Sequence, residues 1–76
     1  MKELLEQIAR ALVDHPENVS VTEVEEEGEL ILELRVADDD MGKVIGKQGR
    51  IAKAIRVVMK AAAVSDDRKV SVEIVQ

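Results

Sequence analysis

The stretch VIGKQGRI, residues 44–51, decides the fold of this chain. Two glycines three positions apart, Gly46 and Gly49, let the backbone turn sharply and leave its surface free of side-chain bulk. Helix-compatible apolar residues stand on both sides, which predicts two helices joined by a tight loop. Within that loop Lys47 supplies a positive charge and Gln48 supplies hydrogen-bond donors. The helix after the loop is expected to begin near Gly49, with free amide donors that favour a nearby phosphate.

The charge distribution sets this loop apart from the rest of the chain. Residues 1–40 hold three basic and thirteen acidic side chains, residues 41–65 hold six and none, and residues 66–76 hold two and three. The formal net charge of −5 by itself argues against a nucleic-acid partner. The local field is the relevant quantity, however, and a basic segment attracts phosphate while the remainder repels it. A solvated helix face is the alternative explanation for the basic run.

Length and composition limit the possible architectures. The 76 residues predict a single domain over residues 1–76, near the lower limit for independent folding. The absence of aromatic residues and cysteines predicts a small aliphatic core without disulfides or a cysteine-based zinc site. Glu3 and Glu6 occupy the place of a signal peptide's apolar run, and no apolar run approaches the roughly 20 residues that span a bilayer. We therefore expect a cytoplasmic protein without membrane attachment.

Apolar spacing predicts an amphipathic helix at the start of the chain. This helix should end near Asp14 and His15, because Pro16 disfavours helical geometry in the residue before it. His15 is then a helix-end residue and not a ligand. The apolar residues at three-to-four-residue spacing are Leu4, Leu5, Ile8, Ala11 and Leu12.

Alternating apolar residues predict three strands. The first strand contains Val19 and Val21, while Val24 is out of phase and predicts a bulge or an early end. Gly28 suits a tight turn into the second strand, and Ile31 is expected on the outer face of that strand. The inward-facing residues of the second and third strands are Leu30, Leu32, Leu34, Val36, Val70, Val72 and Ile74.

The helix that follows the loop has opposed apolar and basic faces when its residues are placed at 100° intervals. Residues 65–67 are predicted to end it. Ala54, Val57 and Ala61 widen its apolar arc, and either the first helix covers them or they contact a second copy of the chain. The apolar side is predicted to contain Ile51, Ile55, Val58, Met59 and Ala62, and the basic side Lys53, Arg56 and Lys60.

The order helix, strand, strand, helix, helix, strand predicts an α+β fold with two layers. The tight turn makes the first two strands antiparallel. The crossover through two helices favours a parallel arrangement of the second and third strands. We therefore expect a three-stranded mixed sheet with all helices on one face.

No pattern for catalysis stands out in the chain. The run Asp38–Asp40 can cap the following helix, and the alternative, a magnesium site, lacks a second acidic cluster with ligand spacing. A nucleotide-triphosphate loop requires four residues between its glycines, but three separate Gly42 from Gly46, and Gln48 replaces the required Ser or Thr after Lys47. No cysteine nucleophile is present, and the one histidine precedes a proline. We expect no catalytic residue, no metal and no cofactor.

With a helix on each side and a strand before it, VIGKQGR at residues 44–50 resembles the KH domain, whose G-x-x-G loop clamps four nucleotides of RNA. The element order resembles the type II variant over the whole chain, and residues 40–56 resemble the small bacterial proteins that consist of one KH domain. The chain departs from many KH domains in having Ala52 where an aliphatic residue usually stands and Ile51 one place earlier. That departure predicts a slight rotation of the helix.

This resemblance implies a non-catalytic protein that binds single-stranded RNA, as an RNA chaperone or a post-transcriptional regulator. Bases would rest on an aliphatic groove formed by Val44, Ile45 and part of the following helix. Affinity should be weak because no aromatic residue is available for stacking. The implied RNA-binding residues are Lys43, Val44, Ile45, Gly46, Lys47, Gln48, Gly49, Arg50 and Lys53.

The resemblance also implies protein partners. Proteins of this kind pair with themselves or with a larger KH-containing protein of the Jag type, and joining two weak sites raises the apparent affinity for RNA. The possible dimer contacts are Ala54, Val57 and Ala61. The alternative function is a protein-interaction adaptor that uses the KH surface for such pairing, with RNA binding incidental.

Overall fold

Helices and strands follow one another in the order that the sequence predicts. The structure, a computed structural model, describes residues 1–64 and 68–75. The first half contains helix α1 (Lys2–Leu12) and the strands β1 (Ser20–Glu26) and β2 (Glu29–Arg35). Helices α2 (Met41–Ile45) and α3 (Arg50–Ala62) and strand β3 (Lys69–Val75) complete the chain. The predicted helix end at residues 65–67 lies outside the described residues.

The strands form one mixed sheet in the order β1-β2-β3. β1 and β2 are antiparallel, and β2 and β3 are parallel with Leu32 opposite Val72, as the connections predict. The pairing of β1 continues without interruption to Glu26. The predicted bulge or early end at Val24 is therefore wrong, because Val24 lies opposite Ile31 on the open face of the sheet, where alternation continues undisturbed. The expected outer position of Ile31 is confirmed.

All three helices lie on the other face of the sheet and enclose an aliphatic core. α1 packs on β1 and β2, α3 packs on β3, and α2 packs against both helices. Among the described helices, none is long and apolar enough to cross a membrane. The buried residues that form this core are Leu5, Ala9, Val19, Val21, Leu30, Leu32, Leu34, Val36, Val44, Ile55, Met59, Ala63, Val70 and Val72.

Helix α1 ends two residues before the predicted position. Val13 is already extended, at φ −104° and ψ 163°, so His15 lies in the connection to β1 and not at the helix end. The buried face of α1 follows Leu5 and Ala9, four residues apart. As a result Leu12 is 39% exposed and Ala11 is exposed, although the apolar spacing of this helix includes both.

Helix α3 is rotated relative to the predicted apolar stripe. Ala52, Ile55 and Met59 are buried, whereas Val58 is 47% exposed and Ala62 is exposed. Taking 100° per residue, the buried stripe is centred roughly 50° away from the predicted one. The predicted core positions of Val58 and Ala62 are therefore wrong, whereas the rotation relative to other KH domains that Ala52 implies stays a prediction.

Candidate functional site

Four residues, 46–49, join α2 to α3 and are called the glycine loop below. Gly46 has φ 75° and ψ 173°, a conformation that is essentially restricted to glycine. A Cβ atom at this position would lie 2.6 Å from Cγ1 of Ile51. Gly49 has φ 73° and ψ 16°, but no atom lies within 4 Å of the position of its absent Cβ. Packing therefore requires glycine at Gly46, whereas only the backbone angle favours it at Gly49.

The backbone of the glycine loop is held by its own hydrogen bonds. The amide of Gly46 donates to the carbonyl oxygen of Gly42 at 2.9 Å, and the amide of Gly49 donates to that of Gly46 at 3.1 Å. Gln48 lies in the left-handed region, at φ 59° and ψ 26°. Lys47 and Gln48 are both exposed. The loop thus presents one cation and one amide to solvent on a backbone of defined shape.

Three cations lie in the loop or in the first residues of α3 and have no ion-pair partner within residues 1–64 and 68–75. Lys47, Arg50 and Lys53 are exposed, and none forms an ion pair with a residue in the described ranges. Exposed, unpaired cations beside a loop free of side-chain bulk form a suitable environment for phosphate groups.

Lys43, the fourth predicted cation, has different contacts. Its Nζ lies 3.2 Å from Oδ2 of Asp14 and 3.9 Å from Oδ1 of Asp40. The hydrogen bond and charge of Asp14 raise the pKa of Lys43. Lys43 therefore connects α2 to the segment that follows α1 and does not extend freely toward the loop.

The two aliphatic residues before the loop lie in different environments. Ile45 is 36% exposed and offers apolar surface next to the loop. Val44 has no exposed surface, because it faces the core from the buried side of α2. The prediction that bases rest on Val44 is therefore contradicted by its burial, whereas Ile45 remains available for contact.

An open groove of about 260 Å³ lies between α3 and the free edge of β3. Arg56 crosses it, since its Nε donates a hydrogen bond to the carbonyl oxygen of Val72 at 3.2 Å. The sequence marked Arg56 and Lys60 as the basic side of the third helix but did not assign them to the site. Arg56 and Lys60 lie beside β3 because the strand order makes β3 an edge strand of the sheet. The groove is lined by Arg56, Lys60, Lys69, Val70, Ser71 and Val72.

Asp40 holds the start of α2 to the connection between α1 and β1. It is 1% exposed, and its carboxylate accepts the backbone amides of Asp14 at 3.1 Å and His15 at 2.9 Å. Burial acts to raise the pKa of Asp40, but these two hydrogen bonds and the neighbouring cations outweigh it and lower the pKa. The predicted capping of α2 by Asp38–Asp40 is wrong, because no side chain of the run bonds to the first amides of that helix.

His15 and Asp39 form an ion pair beside Asp40. Nε2 of His15 lies 3.3 Å from Oδ2 of Asp39, and the charge of Asp39 raises the pKa of His15. One atom each from His15, Asp39 and Asp40 lies within 4.8 Å of the others, a spacing at which a metal ion can be held. Both carboxylate oxygens of Asp40 already accept backbone amides, so protein contacts account for this cluster.

The three residues named as possible dimer contacts lie together on the outer side of α3. Ala54, Val57 and Ala61 are all exposed, and Val57 is 67% exposed. At 100° per residue they lie about 150° from the buried stripe. Helix α1 does not cover them, so packing within the chain leaves this apolar surface open. We call these three residues the outer stripe.

Comparisons with known proteins give consistent results. The family model described as "KhpA/KhpB, KH domain" matches residues 2–74. Proteins named "RNA-binding protein KhpA" from Clostridium acetobutylicum and Clostridium perfringens are each 65% identical over 75 residues, covering 99% of this chain and 100% of the relative. The protein of that name from Listeria monocytogenes is 49% identical over 76 residues, with full coverage of both chains.

A solved structure supports the fold. The chain resembles part of a crystal structure of Aquifex aeolicus Era bound to GDP and AlF4−, with a TM-score of 0.70 and 20% sequence identity. The match covers 96% of this chain but only 28% of the Era chain. At this identity the likeness concerns the fold alone.

Proposed function

Since the chain belongs to the KhpA/KhpB KH-domain family, we propose that it is a non-catalytic, single-domain protein that binds single-stranded RNA in the bacterial cytoplasm. The observation that carries the proposal is the glycine loop, with exposed Lys47 and Gln48 on a backbone that only glycine at Gly46 permits. The names of the full-length relatives support the same ligand. An RNA chaperone or a post-transcriptional regulator fits this chemistry.

The RNA backbone is proposed to lie along the glycine loop. Lys47, Arg50 and Lys53 neutralise phosphates, and Gln48 donates hydrogen bonds to the same strand. The glycines Gly46 and Gly49 allow close approach of the backbone. We leave Lys43 out of the phosphate contacts because Asp14 and Asp40 already pair with it, and Val44 out of the base contacts because it is buried.

Bases are proposed to occupy the surface from Ile45 to the groove at the edge of β3. Aliphatic contact there replaces stacking on aromatic rings, which the chain lacks. Arg56 supplies the guanidinium plane nearest the bases. Because aromatic stacking contributes about 1–3 kcal/mol per base elsewhere, we expect one copy of the domain to bind RNA weakly.

The loop is tested with Lys47→Asp combined with Gln48→Asp. Replacing a cation by an anion and adding a second anion repels phosphate, so RNA affinity should fall by at least about tenfold. Fluorescence anisotropy with a labelled single-stranded RNA measures the affinity, and circular dichroism checks the fold. Lys2→Asp with Gln7→Asp on α1 is the matched control and should bind like the wild type. An intact double loop variant with unchanged affinity would contradict the proposal.

We also propose that the outer stripe pairs the domain with a second KH domain. Its supporting observation is the exposure of Ala54, Val57 and Ala61 opposite the core, where small side chains allow close helix packing. A second copy is one partner. A larger Jag-type KH protein is the other, supported by the joint description of KhpA and KhpB in the matching family.

Pairing is tested by sedimentation of Val57→Glu beside the wild type. A charge at the centre of an apolar interface destabilises the interface, so Val57→Glu should be monomeric under conditions in which the wild type is a dimer. Thr22→Glu on the open face of the sheet is the control and should leave the dimer intact. A wild type that stays monomeric at high concentration would contradict self-pairing. Pairing without detectable RNA binding would instead favour the adaptor function.

A further inference from the structure

Beside the groove at β3, at its end farther from the glycine loop, lies the β1–β2 turn, which carries negative charge. The hydroxyl of Ser71, which lines the groove, donates a hydrogen bond to the carboxylate of Glu29. The amide of Lys69, another lining residue, donates to the carbonyl oxygen of Gly28 at 3.1 Å. These contacts place the β1–β2 turn directly beside the groove.

Four glutamates surround this turn and are called the hairpin acids: Glu25, Glu26, Glu27 and Glu29. Oε2 of Glu25 lies 3.0 Å from Nη1 of Arg68. Glu26 and Glu27 are exposed and form no ion pair with a described residue. The turn therefore presents negative charge that its neighbours only partly neutralise.

The positive charge of the glycine loop lies at the start of α3, the helix that lines the groove with Arg56 and Lys60. α3 begins directly after Gly49 and ends at Ala62, and β3 begins at Lys69. Arg56 contacts Val72, and Lys60 lines the groove together with Lys69. From Gly49 to Lys60 the helix rises roughly 17 Å at 1.5 Å per residue. An RNA strand that starts at the glycine loop and follows α3 thus reaches the hairpin acids after a short distance.

We propose that the hairpin acids act as an electrostatic stop that limits the length of RNA in the groove and disfavours strands that continue beyond it. This inference rests on the proposed RNA binding. A phosphate that passes Lys60 and Lys69 comes within a Debye length, about 10 Å at 0.1 M salt, of several carboxylates. The domain therefore prefers a binding site near one end of an RNA, or a site at which the RNA strand bends away from the hairpin acids.

The test uses three RNAs with the same randomised four-base core. One has no extension, one has four abasic nucleotides on its 5′ side, and one has them on its 3′ side. Abasic nucleotides carry phosphate but no base, so the core alone can fill the groove and the extension tests only the charge. NMR titration of the wild type at low salt measures all three affinities.

The wild type should bind one of the two extended RNAs about fivefold more weakly than the other, the repulsion expected from two carboxylates at roughly 8 Å from a phosphate in water. Glu26→Gln with Glu29→Gln removes two charges that have no ion pair among the described residues and keeps the hydrogen-bond acceptors, so it should remove most of the difference. Higher salt should reduce the difference in the wild type. Equal affinities for the two extensions in the wild type would overturn the inference, and so would a difference that persists in the variant.

The controls separate this inference from the proposed function. Glu6→Gln with Glu17→Gln makes the same change of charge on α1 and in the connection between α1 and β1, outside the hairpin, and should retain the wild-type difference. Its loss in this control would overturn the inference, because net charge would then explain the effect. Binding of none of the three RNAs would overturn the proposed function itself. Binding of the unextended core with no effect of the hairpin acids would overturn the stop alone.

Discussion

At the scale of single residues, the two glycines of the loop have unequal roles. Gly46 combines an unusual backbone conformation with contact against Ile51, whereas Gly49 has free space around it. We expect Gly46→Ala to lower the free energy of unfolding by about 3 kcal/mol or more, from backbone strain and overpacking together. Gly49→Ala should cost about 1–2 kcal/mol, the cost of the left-handed conformation alone. Urea denaturation of both variants measures these two losses of unfolding free energy. Equal losses would contradict the unequal roles of the two glycines.

His15 gives a prediction for pH. Asp39 raises the pKa of His15 in the folded protein above its usual value of 6.5, so the folded state binds the proton more tightly than the unfolded state. The stabilisation is therefore fully present below about pH 6.5 and is lost as the pH rises through the folded value. Thermal denaturation should show the wild type more stable than His15→Gln at pH 5.5, with the advantage disappearing by pH 8.5.

A second variant identifies the partner in this pH effect. Asp39→Asn leaves the histidine in place but removes the charge that raises its pKa. Asp39→Asn should therefore lack most of the extra stability that the wild type has over His15→Gln at pH 5.5. A difference between the wild type and His15→Gln that stays constant from pH 5.5 to 8.5 would show that the ion pair does not act through protonation.

At the scale of elements, α3 shows how far periodicity predicts packing. The pattern predicts the helix, its first residue and the opposition of apolar and basic sides. It does not predict which part of a broad apolar arc contacts the sheet, because Ile51, Val58 and Ala62 are as apolar as the buried Ala52. Close packing against the strands decides between them, and that depends on residues distant in the chain.

The rotation of α3 is tested by paired substitutions on one helix. Met59 is 1% exposed and Val58 is 47% exposed, although the sequence predicts both in the core. Met59→Ala leaves a cavity and should cost about 2–5 kcal/mol of unfolding free energy. Val58→Ala should cost less than roughly 1 kcal/mol, as a half-exposed site does. Urea denaturation of both variants is the measurement, and similar losses would indicate that both side chains lie in the core.

Helix α2 is stabilised almost entirely by tertiary contacts. Five residues are too few for a helix to be stable by itself. Asp40 and Lys43 hold it to the connection after α1 through hydrogen bonds and ion pairs. The sequence predicted Asp40 as a helix cap and Lys43 as an RNA-binding residue. It did not predict their contacts with residues 14 and 15, because residues some 25 positions apart are not paired by any periodic pattern.

At the scale of the whole molecule, the fold concentrates positive charge on α3 and the loop and leaves acidic residues on the strands. This arrangement gives an acidic protein a basic face. RNA binding should therefore depend on salt, with log affinity falling against log salt by about 0.7 per phosphate contact. If Lys47, Arg50 and Lys53 each contact one phosphate, the slope should be about −2.

The salt dependence distinguishes free lysines from paired ones. Lys53→Gln should reduce the steepness of the slope by about 0.7, because Lys53 has no partner among the described residues. Lys43→Gln is the matched control and should leave the slope unchanged, since Asp14 holds its ammonium group at 3.2 Å. An equal reduction in both variants would show that Lys43 also releases its partner to contact RNA.

The sequence by itself determined the order of the elements, the mixed sheet, the glycine loop and its basic surroundings. These follow from local causes: spacing along one helix or strand, the backbone freedom of glycine and the length of each connection. Only the tertiary structure decided that Val44 is buried, that Lys43 is paired, that α3 turns Val58 away from the core and that β3 forms a groove with Arg56. Each of these depends on contacts between residues far apart in the chain, and one sequence does not specify such contacts through any local pattern.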